Sequence, residues 1–507
     1  MPESTAFFAA LIFGVLTHVF GLVNVLHNCD DIAQQPGGYG TGISSGRWLL
    51  SILGDVAEVC GLNYNLPVVN GLLFIVLISI SAAFVIRIFH VQNHIGAALI
   101  GMLFSSFPSV FSILTFRYTA VYYGISVLLA IVAVWVWPQK YGILLSAFCI
   151  ACSLGIYQAF VPFSISLFVL LLMQQAIEGN TSFGTLVIRG VKTCISLILG
   201  LLIYYVALKV FLKVYGTELS DYQGVNEMGQ LSLREIPLLI KKAVYSFCML
   251  PFKDYCGLSS MGLLKVTYLL LGVVAAGLFG FFFLKKAKNC LIACFVAVLC
   301  ALFPVAVNFV VIMCPDGWFY TLMVYPFVMI GCVPVILYES LISQADQEQK
   351  LPYILNKVIA FLLSLLIGLY SYQSNVSYGT HYFSNKQVEN YVSSLVVQVR
   401  MTEGFSTEYD WALLGKINDP LLYDYWQYET YIGGVEFTPV LLRRDTMADW
   451  VMHYYGYRIP VADDATVTQL CQNEVVKEMP CWPNDGSIKI VDDTIVIKFE
   501  EIEKLSR

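Results

Sequence analysis

The amino-acid sequence predicts a polytopic α-helical membrane protein with about eleven transmembrane helices and a small α/β domain at its C-terminus. Of its 507 residues, 58% are hydrophobic and only 13% are charged, whereas about 25% of the residues of a typical soluble protein are charged. A water-soluble fold of this composition would expose a large apolar surface, so a lipid bilayer is the expected environment. Several apolar runs also have the length that crosses a bilayer.

Long apolar runs with few or no charged residues mark the predicted spans. They lie near residues 5–28, 66–86, 95–116, 118–137, 190–212, 264–284, 290–313, 318–338 and 355–374. A further uncharged stretch, 141–177, is too long for one span, and we divide it around 155–158. The first run is too long for the core of a typical signal peptide, so we interpret it as an uncleaved span.

The loops between the spans predict the orientation of the chain. Lysine and arginine are enriched in cytoplasmic loops, so the basic cluster at 285–288 is expected inside. Counting spans from this cluster places the N-terminus inside and the loops 27–65 and 213–263 outside, together with the residues after the last span. The 213–263 loop is itself basic, which argues against this orientation, although long loops follow the rule less strictly.

The charge balance separates two predicted domains. Residues 1–373 contain 18 lysine and arginine residues and 15 acidic residues, whereas residues 374–507 contain 11 and 20, which together give the 29 basic and 35 acidic residues of the chain. We therefore expect a transmembrane domain over 1–373 and an extracytoplasmic α/β domain over 374–507. The acidic domain has no basic patch, so nucleic acid is not an expected partner.

Two segments of the outside loops have the pattern of helices that lie on the membrane surface. Residues 44–60 carry an apolar stripe at helical spacing, and Gly61 is expected to end that helix. Residues 232–249 begin with a capping box and mix Lys241 and Lys242 with apolar residues, as interfacial amphipathic helices do.

The predicted C-terminal domain contains both helical and strand patterns. Apolar residues at helical spacing predict helices near 385–402, 446–455 and 466–478. Residues 487–491 and 494–499 alternate like two strands of a hairpin, with two aspartates between them as the turn.

The first outside loop contains residue types that chemistry at a membrane surface would use. Asp30 and Asp31 follow the first span, and a carboxylate there can act as a general base on a hydroxyl group or hold a divalent cation. A glycine-rich segment with Tyr39 leads to Arg47 and Trp48, and an interfacial arginine can bind a lipid-linked phosphate through two hydrogen bonds. The alternative is a solvated helix end followed by an ordinary glycine-rich turn.

Further candidate residues lie in other predicted loops. Arg117 and Tyr118 occupy a very short outside turn, where the arginine either binds a donor phosphate or extends towards the lipid head groups. Gln158 lies at the break in the long apolar stretch and either lines a cavity or bonds to a neighbouring helix. Lys241 and Lys242 bind either the donor phosphate or anionic membrane lipid.

These motifs, in their order along the chain, resemble the GtrII-type family of bacterial membrane glucosyltransferases. The similar features are the Asp-Asp, Tyr-Gly and Gly-Arg-Trp sequences within 28–48, the sequence Gly-Ile-Tyr-Gln-Ala at 155–159, and the closing sequence Met-Pro-Cys-Trp-Pro at 479–483 with the strand that follows it. The family usually has tyrosine or another aromatic residue between the two late prolines, and Trp482 stands there in this chain.

The resemblance implies a GT-C-like fold and a glycosyltransferase activity. Enzymes of this class take a sugar from a polyprenyl-phosphate carrier outside the cytoplasmic face, usually with inversion at the anomeric carbon, and an acidic residue of the first outside loop serves as the base. That role maps to Asp30 or Asp31. The implied location is the bacterial cytoplasmic (inner) membrane, the implied donor is undecaprenyl-phosphate-linked glucose or a similar hexose, and the implied acceptor is O-antigen, another envelope polysaccharide or a lipid-linked glycan.

No cofactor is required by this chemistry, because the leaving phosphate is already a stable anion, although the two acids could hold a divalent cation. The sequence contains no P-loop, dinucleotide fingerprint or HExxH zinc motif, and the lack of a nucleotide-binding domain favours a lipid-linked donor. A flippase or transporter of a lipid-linked sugar is an alternative, but it would have paired broken helices in two related halves, and only one break is visible. A receptor with the acidic tail as its sensor is a second alternative, in which the first loop would be dispensable.

Overall fold

The computed structural model describes residues 1–221, 234–287, 289–315, 317–342, 349–417, 432–433, 435, 441–442 and 444–502. These residues form many helices and one small sheet. The helices are α1 (Pro2–Val23), α2 (Cys29–Ala33), α3 (Trp48–Val59), α4 (Pro67–Phe89), α5 (His94–Ser106), α6 (Pro108–Leu114), α7 (Arg117–Val136), α8 (Gly142–Ile156), α9 (Val161–Ile177), α10 (Phe183–Tyr215), α11 (Ile236–Cys248), α12 (Gly262–Phe281), α13 (Cys290–Val307), α14 (Val310–Met313), α15 (Met329–Leu341), α16 (Lys350–Met401), α17 (Arg444–Tyr455), α18 (Asp464–Gln472) and α19 (Glu474–Lys477). The strands are β1 (Asp410–Leu414), β2 (Ile488–Val491) and β3 (Thr494–Lys498).

Ten helical segments within the described residues are long and apolar enough to cross a bilayer. They are Pro2–Val23, Pro67–Phe89, His94–Leu114, Arg117–Val136, Gln158–Ile177, Phe183–Tyr215, Gly262–Lys286, Cys290–Val307, Thr321–Leu341 and Lys350–Met401. An eleventh apolar helix, α8, has 15 residues. The chain is therefore a polytopic α-helical membrane protein, and the prediction of about eleven apolar helices is confirmed.

The long apolar stretch 141–177 consists of two helices, as predicted. Helix α8 ends at Ile156, and Tyr157 has an extended backbone with φ −155° and ψ 114°. A single turn of 3₁₀ helix, Gln158–Phe160, leads into α9. Pro162 lies in the first turn of α9, where a missing N–H costs no helical hydrogen bond.

A second broken span is present within 95–116, which the sequence predicts as one continuous helix. Phe107 separates α5 from α6 with φ −58° and ψ 139°, because Pro108 disfavours helical geometry in the residue that precedes it. The prediction of a single broken span is therefore wrong.

The chain divides into two compact units. The first unit contains Met1–Val23, Gly38–Val376 and Tyr431–Gly434, and the second contains Asn24–Gly37, Ser377–Thr430 and Val435–Arg507. The division within α16, after Val376, lies close to the boundary that the charge balance predicts. The separate helices predicted near 355–374 and 385–402 are wrong, however, because α16 continues through both: residues 375–384 contain no proline that would end it.

Close helix contacts in the first unit depend on small residues. Helix α1 packs against α4 and α5, and a Cβ at Gly101 would lie 2.2 Å from the carbonyl oxygen of Ala6. Small residues allow helices to approach in this way where no hydrophobic effect holds them together.

The two predicted surface helices of the first unit are α3 and α11. Helix α3 begins at Trp48, four residues later than predicted, and Gly61 follows its end with φ 67°. Helix α11 exposes Lys241 and Lys242 and buries Leu239. Part of its predicted capping box, 232–233, lies outside the described residues, as does Lys288 of the basic cluster.

Residues 24–37 belong to the second unit, although the whole 27–65 loop is expected in the transmembrane domain from the sequence. Ile32 is buried in the core of the second unit, and the backbone N–H of His27 donates to Oδ1 of Asn385 at 2.8 Å. These contacts join residues far apart in the sequence, which explains why the pattern of the loop alone does not reveal them.

The sheet of the second unit has the strand order β1-β3-β2, with β1 parallel and β2 antiparallel to β3. The predicted hairpin is confirmed, and both Asp492 and Asp493 have positive φ, 47° and 57°, as two-residue hairpin turns require. Strand β1 is not predicted. It is buried on both faces, with Trp411 and Ala412 in different cores, so it lacks the alternation of a half-buried strand.

The closing sequence of the chain is a structural element of the second unit. Lys498 at the end of β3 is buried, and its Nζ donates to the carbonyl oxygens of Lys477 and Met479 at 2.9 and 2.7 Å and pairs with Glu501 at 2.9 Å. The backbone N–H of Trp482 donates to the Lys498 carbonyl at 2.7 Å. A buried cation needs such partners, so these contacts fix the segment that the family resemblance singles out.

The helix predicted near 466–478 is two helices, α18 and α19. Asn473 separates them because its side chain accepts from the N–H of Val475 at 2.9 Å and so caps α19.

Candidate functional site

Asp30 and Asp31 lie on the short helix α2 of the second unit. Oδ1 of Asn28 accepts from the N–H of Asp31 at 2.7 Å and caps this helix. Neighbouring helical residues point about 100° apart, and the two carboxylates accordingly have different surroundings. Asp31 is buried, whereas Asp30 is exposed.

The carboxylate of Asp31 contacts a buried histidine. Its Oδ2 lies 2.6 Å from Nδ1 of His27, and neither side chain is exposed. Nε2 of His27 lies 3.3 Å from Nε2 of His453, and the ring of Trp450 stands edge-on to His27 at 5.7 Å. Asp31 therefore takes part in a buried contact, while Asp30 presents its carboxylate at the surface of the unit.

The two aspartates do not converge on one point, since one is buried against His27 and the other is exposed. Over the described ranges, no group of three or more histidine, cysteine, aspartate or glutamate side chains has an arrangement that could hold a metal ion. The divalent cation that the sequence leaves open stays a prediction.

Arg47 lies in the first unit, immediately before α3, against tyrosines of the transmembrane helices. Its Nη1 lies 3.4 Å from the hydroxyl of Tyr123, and its Cζ lies 4.8 Å from the centre of the Tyr157 ring. The two rings stack on each other with centroids 4.3 Å apart. The guanidinium group thus lies over the face of the Tyr157 ring, to which a cation is attracted, and beside the Tyr123 hydroxyl.

One nitrogen of this guanidinium has no partner within the part of the chain that the structure describes. Nε of Arg47 is buried, and no hydrogen-bond acceptor of the described residues reaches it. An unsatisfied buried N–H costs about 1–3 kcal/mol, and more for a charged group. This is the arrangement expected where an anion completes the site.

Gln158 and Tyr204 fix the turn that precedes Arg47. Nε2 of Gln158 donates to the Ser45 carbonyl at 2.9 Å, and the Tyr204 hydroxyl donates to the Gly46 carbonyl at 3.0 Å. Gly46 has φ 74°, and a Cβ there would lie 2.7 Å from both polar groups, so only glycine fits. Gln158 therefore bonds to a neighbouring segment, which is one of the two alternatives for this residue.

Three aromatic candidates pack directly against glycines of the first unit. A Cβ on Gly54 would lie 2.0 Å from the ring of Tyr39. A Cβ on Gly155 would lie 2.6 Å from the ring of Trp48, and a Cβ on Gly40 would lie 2.7 Å from the ring of Tyr118. The Tyr39 hydroxyl also donates to Asp55 at 3.0 Å, and burial together with this bond raises the pKa of Tyr39. The structure thus gathers Tyr39, Arg47, Trp48, Tyr118 and Gln158 around the segment 38–48.

The remaining candidates have other surroundings. Arg117 is only 3% exposed, so it does not extend outwards to lipid head groups. Lys241 is exposed on α11. Nζ of Lys242 donates to the Pro315 carbonyl at 3.3 Å and lies 5.6 Å from the ring centre of Phe319.

The contact between Gly155 and Trp48 gives a direct stability prediction. Gly155→Ala places a methyl group against the indole ring, and overpacking of this kind costs about 1–3 kcal/mol. We expect a lower melting temperature of the purified protein in detergent micelles. Gly272→Ala is the matched control, since a Cβ on Gly272 meets nothing within 4 Å. Equal melting temperatures for the two variants would contradict the packing described here.

The comparisons with known proteins cover most of the chain. The profile of the glucosyl transferase GtrII family matches residues 19–331, and no curated protein sequence matches the chain. Among solved structures, the oligosaccharyltransferase of Archaeoglobus fulgidus, crystallised with zinc and sulfate, is similar with a TM-score of 0.38 and 10% sequence identity over 91% of this chain. The chain covers 62% of that protein, less than two thirds of its length.

Proposed function

Because the chain belongs to the glucosyl transferase GtrII family, we propose that it is an inverting glycosyltransferase of the bacterial inner membrane. It transfers glucose, or a similar hexose, from undecaprenyl-phosphate-linked sugar to O-antigen or another cell-envelope polysaccharide on the extracytoplasmic side. The second unit, on that side, faces the acceptor glycan.

The main support for the proposal is the environment of the Arg47 guanidinium group. A guanidinium group that lies over the Tyr157 ring, contacts the Tyr123 hydroxyl and keeps a buried N–H without an acceptor among the described residues is prepared for an anion. The phosphate of a polyprenyl-phosphate sugar is such an anion, and its negative charge increases as the bond to the sugar breaks. Arg47 therefore stabilises the transition state more than the bound donor, which is the requirement for catalysis.

Asp30 supplies the base in this reaction. Its exposed carboxylate takes the proton of the acceptor hydroxyl, and the hydroxyl oxygen forms a bond to the anomeric carbon. The bond between that carbon and the phosphate oxygen breaks on the opposite face, and its electron pair leaves with polyprenyl phosphate. The proton on Asp30 then passes to water, which restores the carboxylate.

The other candidates have supporting roles in the proposal. Gln158 holds the main chain before Arg47 through the Ser45 carbonyl. Arg117 and Tyr118 lie at the start of α7 and contribute to the donor site. Lys241 and Lys242 lie on the exposed face of α11 and bind either the donor phosphate or membrane lipid.

The proposal is tested with the purified full-length protein in nanodiscs. Radiolabelled glucose on a synthetic polyprenyl phosphate is offered together with an envelope polysaccharide, and we expect labelled polysaccharide whose new linkage has the opposite anomeric configuration to the donor. A panel of other polyprenyl-linked sugars identifies the sugar. Heat-denatured protein is the control.

Two outcomes would contradict the proposal. One is folded protein that transfers no sugar from any donor of the panel. The other is movement of the lipid-linked sugar across the bilayer of proteoliposomes without a new glycosidic bond, which would establish the flippase alternative.

A further inference from the structure

His27 lies at the centre of a buried hydrogen-bond network in the second unit. Its backbone N–H donates to Oδ1 of Asn385 at 2.8 Å, and its carbonyl oxygen accepts from Nδ2 of the same asparagine at 3.1 Å. The carbonyl also accepts from Nε2 of His381 at 2.8 Å. Both partners lie on α16, so this helix binds both the backbone N–H and the carbonyl of residue 27.

The side chain of His27 joins the same segment to α17. The carboxylate of Asp31 only accepts hydrogen bonds, so Nδ1 of His27 carries the proton in their 2.6 Å contact. Nε2 of His27 faces Nε2 of His453 at 3.3 Å, and in a neutral ring it is the acceptor of this contact. The chain of contacts therefore runs from Asp31 through His27 to His453.

Asp30 is an exposed residue between buried neighbours on α2. Cys29 is 7% exposed, and Asp31 and Ile32 are 0% and 1% exposed. The backbone N–H of Asp31 also donates to Asn28. With its neighbours on α2 buried on both sides, the main chain of Asp30 has a fixed position, and its side chain emerges at one point of the surface.

We propose that His27 and His453 are positioning residues for Asp30. Their ring-to-ring hydrogen bond, supported by Asp31, attaches the helix that carries Asp30 to α17. The inference rests on the proposed function, in which Asp30 is the base. A base must stay within about 0.5 Å of its productive position, and a displacement of about 1 Å can cost 10²-fold in rate. Loss of the attachment therefore lowers kcat and leaves donor binding unchanged.

The test compares two substitutions at His453, which is only partly buried. His453→Leu removes the hydrogen bond, whereas His453→Gln keeps an amide N–H in a similar place. His27→Leu is the stronger variant, and His94→Leu, at an exposed histidine of the first unit, is the matched control. Each full-length protein is studied in nanodiscs by hydrogen–deuterium exchange of residues 29–34 and by transfer kinetics.

We expect faster exchange of residues 29–34 in His453→Leu and His27→Leu. In the same variants kcat should fall by about 10–100-fold, with a KM for the donor equal to that of the wild type. His453→Gln should restore most of kcat, and the control should match the wild type in both measurements. A purely structural role would instead lower the yield of folded protein and leave kcat per folded molecule unchanged.

The outcomes separate this inference from the proposed function. Unchanged hydrogen–deuterium exchange in both leucine variants would overturn the positioning role. Faster exchange with unchanged kcat, together with an inactive Asp30→Asn, would also overturn it but would leave the proposed function standing. Full transfer by Asp30→Asn would remove the base assignment and the positioning role together. If the wild type transferred no sugar, the catalytic role would fail with the proposed function, and the exchange experiment would still establish or refute the attachment.

Discussion

Asp30→Asn is expected to lower kcat for sugar transfer by about 10²–10⁴-fold, the usual contribution of a general base. The substitution keeps the size and the exposure of the side chain but removes its ability to take a proton from the acceptor hydroxyl. Donor binding should be unchanged, because Asp30 has no role in holding the phosphate. The measurement is the transfer rate at saturating donor and acceptor, with thermal unfolding to show that the protein is folded.

Asp485→Asn is the matched control for this experiment, since Asp485 is an exposed aspartate of the same unit. Asp31→Asn gives a further contrast. It weakens the buried contact with His27 that supports the position of Asp30, so we expect a lower melting temperature and a loss of transfer smaller than that of Asp30→Asn. Loss of transfer in Asp31→Asn with full transfer in Asp30→Asn would show that the two roles are reversed.

Arg47→Gln is expected to lower kcat by about 10²–10³-fold, which is the effect of removing one donor that stabilises a developing negative charge. Arg47→Lys keeps the charge but loses the planar group that lies on Tyr157, so we expect an intermediate rate. The affinity for polyprenyl phosphate, measured by direct binding in nanodiscs, should fall in the same order.

Arg87→Gln controls for the loss of a cation from an aromatic ring, because Arg87 lies 5.5 Å from the ring centre of Trp135 in the same unit. Its transfer rate should equal that of the wild type. An unchanged transfer rate and an unchanged phosphate affinity in Arg47→Gln would contradict the role of Arg47 on which the proposed function depends.

The helices were predictable from the sequence because charge is costly in a bilayer, so long apolar runs with little charge mark the spans. The break at Tyr157 followed from length alone, and the hairpin after Ser487 followed from its alternation. Strand β1 was not predictable, since burial on both faces gives it a continuous apolar pattern that short helices share. The membership of residues 24–37 in the second unit depends on contacts such as that between His27 and His453, which are 426 residues apart in the chain.

The candidate site was predictable in part for similar reasons. Arg47 attracts attention because an interfacial arginine can bind a phosphate, and Gln158 because polar side chains are uncommon within apolar spans. Tyr123 and Tyr204, which hold Arg47 and its turn, were missed because tyrosine is common at membrane interfaces and nothing in their local sequence separates a binding role from an anchor. The difference between Asp30 and Asp31 was also unpredictable, because it depends on which of the two faces His27.

The hydrogen bonds from Gln158 and Tyr204 end on the main-chain carbonyls of Ser45 and Gly46. These two residues therefore recognise the path of the backbone and not the side chain at position 45. We therefore expect Gly46, Gln158 and Tyr204 to change together or to remain as they are, because the placement of Arg47 depends on all three. In evolutionary terms, the turn couples three positions that lie far apart in the chain.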